Sequence, residues 1–247
     1  MATDRRNRSA DRQRRSAHAD VVERYRRPAR WFHAGIYATV LILVVTGWWL
    51  LAGQEGQPSP LARLTGMPDT SLHKLVGWIL AGLALAGLLL GVRAIPCFVA
   101  ESVRLRRSEL RWFARWPAAV FTGRFGWHQG RFDPGQRFLN VTLILGLAVL
   151  VVTGAGLAVV HGGPAFVVLA MIHKWTTYPV TALIAGHVLI ASGALPGYRG
   201  VWRSMHLGGR LDARVAGRLW PAWSRNFPGR RPARPGEKRQ RPPTDPE

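Results

Sequence analysis

The sequence predicts an all-α integral membrane protein, a four-transmembrane-helix bundle with both termini on the cytoplasmic side. Three observations predict it. Four apolar runs each have the length that crosses a bilayer core, about twenty residues for about 30 Å. Arginine crowds every second connecting segment and both tails. Four of the eight histidines stand towards the ends of the apolar runs, not in the polar tails.

The runs cover about residues 31–52, 72–92, 138–160 and 171–195, and none has an acid or an arginine in its interior. Backbone groups in lipid must be satisfied within their own segment, so these runs are helices. Residues 1–30, 93–137 and 196–247 are rich in arginine. Residues 53–70 hold Arg63 as their one basic residue, and 161–170 hold no charge. The positive-inside rule then places the termini and the middle loop in the cytoplasm and the two short loops outside.

The chain has 247 residues and a formal charge of +21. In a soluble protein that charge would suggest nucleic acid. Here the arginines flank spans, so topology and anionic lipid headgroups account for them, and no nucleic-acid partner is expected. The single cysteine, Cys97, excludes an intrachain disulfide and a thiolate-held iron–sulfur cluster. There is no C-x-x-C-H, so any haem is held without thioether bonds. The polar, basic residues before the first span do not read as a cleavable signal, so that span is expected to stay as the anchor. Three regions follow: a basic, unstructured tail over 1–27, a membrane domain over 28–226, and a Pro/Arg-rich tail over 227–247. Residues 96–116 read as a basic amphipathic stretch along the cytoplasmic surface.

The four histidines carry the chemistry. His33 begins the first span on the cytoplasmic side, and His73 begins the second on the outer side. His173 begins the fourth, and His187 follows fourteen residues later. Fourteen helical residues rise about 21 Å through nearly four turns, so His173 and His187 share a face at two depths. His33 matches His187 in depth, and His73 matches His173. Two facing imidazoles with four porphyrin nitrogens make a six-coordinate haem b, and two such haems make an electron path. Isolated histidines at helix ends also serve as interfacial polar residues, but four paired in depth and face argue for iron. Zinc is disfavoured, because no cysteine or carboxylate joins either pair. His161 lies near the outer pair and is an alternative ligand. His18, His128 and His206 read as solvent-exposed.

Lys74 and Lys174 directly follow the outer histidines. They are candidates to neutralise haem propionates or dock an outside partner, as Arg30 is for the inner haem; interfacial anchoring is the alternative for all three. Leu-Val-Val-Thr-Gly occurs at both 43–47 and 150–154. Gly47 and Gly154, with Gly77 and Gly186, would let a macrocycle or a backbone approach closely, unless the repeat is coincidence between Val/Leu-rich helices.

These residues resemble a known family. Arg30-Trp-Phe-His33 with Thr46-Gly47, and Leu72-His73-Lys-Leu-Val-Gly77, are two of its motifs. Phe132-Asp-Pro-Gly135-Gln136-Arg137 before the third span, Thr153-Gly154, and His173 with His187 are others. The tail from Tyr198 to Trp223 is also similar. Together they resemble the membrane cytochrome b (gamma) subunit of respiratory formate dehydrogenases, within the wider cytochrome b561-like group. The resemblance implies two haems b, one on His33 and His187 and one on His73 and His173. It implies an iron–sulfur (beta) subunit on the outer face, a catalytic (alpha) subunit behind it, and a bacterial inner membrane. It implies menaquinone or ubiquinone as acceptor, near Asp133, Gly135 and Gln136; the family usually has asparagine where Asp133 stands. Hydrogenase, thiosulfate reductase and stand-alone superoxide-oxidising cytochromes share this architecture. A haem-free scaffold or transporter is the remaining alternative.

Overall fold

The computed structural model describes residues 21–53, 57–104 and 106–225. The tail over 227–247, His18 and most of the segment 1–27 lie outside them.

Four long helices are apolar enough to cross a membrane: α1 (Arg27–Leu51), α3 (Asp69–Leu90), α6 (Pro134–Val159) and α7 (Gly163–Ala191). Helix α1 packs on α3, α6 on α7, and α3 on α6. Their outward side chains, Leu90 and Val152 among them, are exposed and apolar, as lipid contact requires. Short connectors lie at one end of the bundle, where α2 (Pro60–Thr65) is capped by Ser59. The other end carries the long segments and is called here the loop-rich side.

The fourth helix starts at Gly163, eight residues before the expected position near 171. The segment 163–170 has no charge and is almost wholly apolar, so it extends the helix and does not form a loop. His173 is therefore ten residues inside α7, not at its start. Gly193, with φ 72°, ends the turn after Ala191, a conformation glycine adopts without steric cost.

The loop-rich side is more ordered than its arginine content suggests. Within the stretch 1–27 expected to lack structure, Val21–Glu23 forms strand β1, which pairs antiparallel with β2 (Arg210–Asp212). The stretch 96–116 is not one surface helix. It divides into α4 (Ile95–Ser102), a 3-10 turn at Arg107–Glu109, and α5 (Leu110–Thr122). Trp112, Ala119 and Val120 of α5 are buried. Three short helices, α8 (Arg203–His206), α9 (Ala213–Leu219) and α10 (Pro221–Arg225), complete the cap. Its core is Val120, Tyr198, Leu211, Ala216, Leu219 and Trp220.

Polar groups lock this cap to the bundle. Arg137 at the start of α6 is fully buried. Its guanidinium bonds both Glu109 oxygens at 3.0 and 3.1 Å, Arg104 O at 2.6 Å, and Gln129 O. Glu101 lies 3.5 Å away. Two acids and two carbonyls pair its terminal nitrogens, which is what makes its burial tolerable, while Nε has no partner among the described residues. Arg24 is held between the rings of Trp220 and Trp223, at 4.0 and 4.4 Å.

Candidate functional site

The structure brings the four predicted histidines together in two pairs. The ring centres of His33 and His187 are 6.2 Å apart near the loop-rich side. Those of His73 and His173 are 6.3 Å apart near the short-loop side. These distances bear on the chemistry. Ring nitrogens sit about 1.2 Å from the ring centre, so neither pair reaches the roughly 3 Å of a direct hydrogen bond. Metal–imidazole bonds run about 2.0–2.1 Å, so two rings on opposite sides of one ion place their centres about 6.4 Å apart. Both spacings fall in the range of a ring contact, and both would also let the two imidazoles of a pair hold one iron between them. Among the described residues no group of three or more His, Cys, Asp or Glu forms a metal cluster. A tetrahedral zinc is thus left two ligands short, whereas a porphyrin supplies its own four nitrogens. The residues present fit haem.

A cavity of about 430 Å³ opens between the four helices around the short-loop pair. His73, His173, Gly47, Gly77 and Gly154 line it, and Lys74 and Lys174 stand at its rim. Both lysines are exposed, so both can meet anionic groups at the cavity mouth. Gly77 faces open space there, as does Gly186 beside His187. Gly47 and Gly154 face something else: a Cβ added at either would lie 3.3 Å from His73 Cε1 or 3.2 Å from His173 Cε1. The group approaching these two glycines is the histidine ring itself, which sequence reasoning missed.

The remaining candidates separate. His161 is exposed and joins neither pair. His206 is exposed as expected, yet its ring lies 5.7 Å from Tyr37, whose ring is 5.7 Å from His33. His128 corrects the expectation of exposure. It is 1% exposed, with Nε2 2.7 Å from Leu219 O, because the C-terminal segment folds over the loop that carries it. Arg30 donates from Nε to Met205 O at 2.9 Å and so ties α8 to the first span.

The Asp-Pro-Gly-Gln segment has a local structural reason. Asp133 caps α6, its Oδ1 accepting from Gln136 N at 2.8 Å, and Pro134 takes the first helical position, where its missing N–H costs nothing. Gly135 lies against Trp112, whose ring a Cβ would meet at 2.8 Å. Gln136 Nε2 donates to Tyr25 Oη at 3.4 Å, while its buried Oε1 has no partner among the described residues. The groups that act on Asp133 are His128, Arg24, Arg137 and Tyr198, not His33 or His187.

Burial pushes the Asp133 carboxyl above the usual carboxylate range; the Gln136 N–H and the charges of His128, Arg24 and Arg137 oppose this. A raised folded pKa means that the group's favourable contribution is complete below the unfolded pKa. It is lost as pH rises through the folded pKa. Each unit of elevation is worth about 1.4 kcal/mol. Asparagine caps helices about as well as aspartate. D133N is therefore expected to fold, and to gain melting temperature over the unmodified protein as pH rises through the folded pKa. Detergent melting curves from acid to alkaline pH check this; a difference independent of pH would refute it.

Four spans and two histidine pairs at two depths define a class of protein, the multi-pass membrane electron carrier. The chain belongs to the prokaryotic cytochrome b561 family, whose model matches residues 24–208. That family binds two haems and includes the cytochrome b subunits of nickel hydrogenases and formate dehydrogenases. No curated protein matches the chain.

Proposed function

We propose that this chain is the membrane anchor and electron-transfer subunit of a formate dehydrogenase-like respiratory complex in a bacterial inner membrane. It passes electrons from an iron–sulfur subunit on the outer face to menaquinone or ubiquinone on the cytoplasmic side. The observation that carries the reading is the ring spacing of 6.2 and 6.3 Å within two pairs at two depths. His33 and His187 are the ligands of the cytoplasmic-side haem b, and His73 and His173 those of the outer-side haem b. Bound there, haem supplies a one-electron couple at each depth, with no iron position left open for oxygen.

The chain's own residues do the rest. The helices hold the two imidazoles of each pair close together and partly buried. Lys74 and Lys174 offer positive charge at the outer mouth, for propionates or for the donor subunit. Arginines on the loop-rich side keep it cytoplasmic. There Gln136 and Tyr25 present an amide and a phenol beside the start of α6, polar groups suited to a quinone's oxygens, with Asp133 and Gly135 adjoining. Asp133 is a buried carboxyl able to hold a proton near them. The Asp-Pro-Gly-Gln segment favours the formate dehydrogenase type over a hydrogenase or stand-alone carrier.

The test is a dithionite-reduced minus oxidised spectrum with haem quantified per chain. The expected result is a sharp low-spin b-type signal at about two haems per chain, with an iron–sulfur partner co-purifying from native membranes. Protein that stays colourless with ample haem overturns the reading; haem without a partner leaves the carrier and removes the complex.

A further inference from the structure

Helix packing alone does not account for the Thr-Gly step in the two matching Leu-Val-Val-Thr-Gly segments. Thr46 Oγ1 lies 2.8 Å from His73 Nδ1, and Thr153 Oγ1 lies 2.9 Å from His173 Nδ1. Each hydroxyl is also within reach of a carbonyl of the preceding turn, the usual acceptor for a threonine inside a helix. Thr46 donates to Ile42 O at 2.8 Å, and Thr153 to Val149 O at 2.7 Å. A hydroxyl has one proton, so with that bond made each offers its histidine a lone pair. The ring nitrogen facing it must then carry hydrogen, which leaves the lone pair on Nε2, the atom free to bind metal. Thr46 is fully buried and Thr153 nearly so, so water does not compete for these bonds. The following glycine in each segment clears the space that the ring occupies.

Among the described residues the other pair shows no such contact, and His33 Nδ1 is buried without a hydrogen-bond partner. Thr39, on the same helix, donates to Gly35 O and Ile36 O instead.

We propose that Thr46 and Thr153 are positioning residues that fix His73 and His173 as Nδ1–H tautomers and lower the reduction potential of the outer-side haem. The proposal rests on the reading that these histidines ligate haem. An acceptor on Nδ1–H makes an imidazole a more basic ligand. A more basic ligand favours the ferric state, so the bonds pull the potential down. The repeat is then a duplicated ligand clamp, one copy on each partner of the outer pair.

The experiment is a redox titration of the purified holoprotein beside T46V, T153V and the corresponding serine variants. Valine keeps the branched shape without the hydroxyl; serine keeps the hydroxyl. Outer-shell partners of metal ligands typically matter by about 10- to 100-fold. Either valine variant is expected to raise one midpoint by about tenfold in the one-electron equilibrium, about 59 mV. The other midpoint stays fixed, and serine restores the first. Nitrogen-15 NMR of the haem-free protein gives a second readout: His73 and His173 are protonated at Nδ1 in the parent and mixed in the valine variants. Valine variants that keep two haems with both midpoints unchanged overturn the proposal and leave haem ligation standing. Serine variants that shift as far as valine also overturn it. A parent protein without haem overturns the ligation reading itself.

Discussion

H173A is expected to lower haem content from about two per chain to about one, and to bring donor-to-quinone electron transfer close to background. His173 shares the 6.3 Å site with His73, and among the described residues no other His, Cys, Asp or Glu joins the pair. Alanine therefore leaves one axial ligand and an apolar hole. The second site is untouched, because His187 lies fourteen residues further along the same helix, about 21 Å away by helical rise. Over such a separation the surviving site cannot take electrons from the short-loop side at a useful rate. H73A should match H173A. H33A and H187A should instead remove the other haem, sparing the one at His73 and His173. H161A separates this assignment from its alternative, and with an exposed side chain it should keep both haems. The pyridine haemochrome assay with reduced-minus-oxidised spectra reads all five variants. If H161A lost a haem and H173A did not, the outer pair would be wrongly drawn.

The sequence made the bundle legible because lipid imposes one simple rule on every span. All four helices overlap their expected ranges, and His33, His73, His173 and His187 pair as depth and face required. The fourth helix was misplaced at its start because hydropathy has no boundary between Gly163 and Met171. The cap was less legible, and its contacts explain why. β1 pairs with a strand nearly two hundred residues away, and Arg24 is stacked by Trp220 and Trp223. Such contacts leave no periodic trace in the chain. His128 looked exposed for the same reason, since the segment that covers it is distant in sequence. The Thr-Gly repeat was visible as a pattern, but its meaning depends on which ring faces it, and only the packing of α1 on α3 and of α6 on α7 supplies that.

The second large effect separates an occupied cavity from a disturbed ligand. G154L would act on His173 directly, because even a Cβ there meets the ring at 3.2 Å. Gly77 differs: a Cβ added to it has nothing within 4 Å, and it lines the same cavity of about 430 Å³. Leucine at this position therefore fits the protein while filling the space between the helices. It also replaces glycine within a helix, worth close to 1 kcal/mol of helix propensity. G77L is expected to melt in detergent no lower than the parent when both lack haem, and to bind about one haem per chain, with the signal of the His33–His187 site intact. A cavity that is merely a packing gap would give another result: G77L would stabilise the protein and keep both haems with unchanged midpoints. That outcome would move the outer haem elsewhere and leave the 6.3 Å spacing of His73 and His173 without a chemical reason.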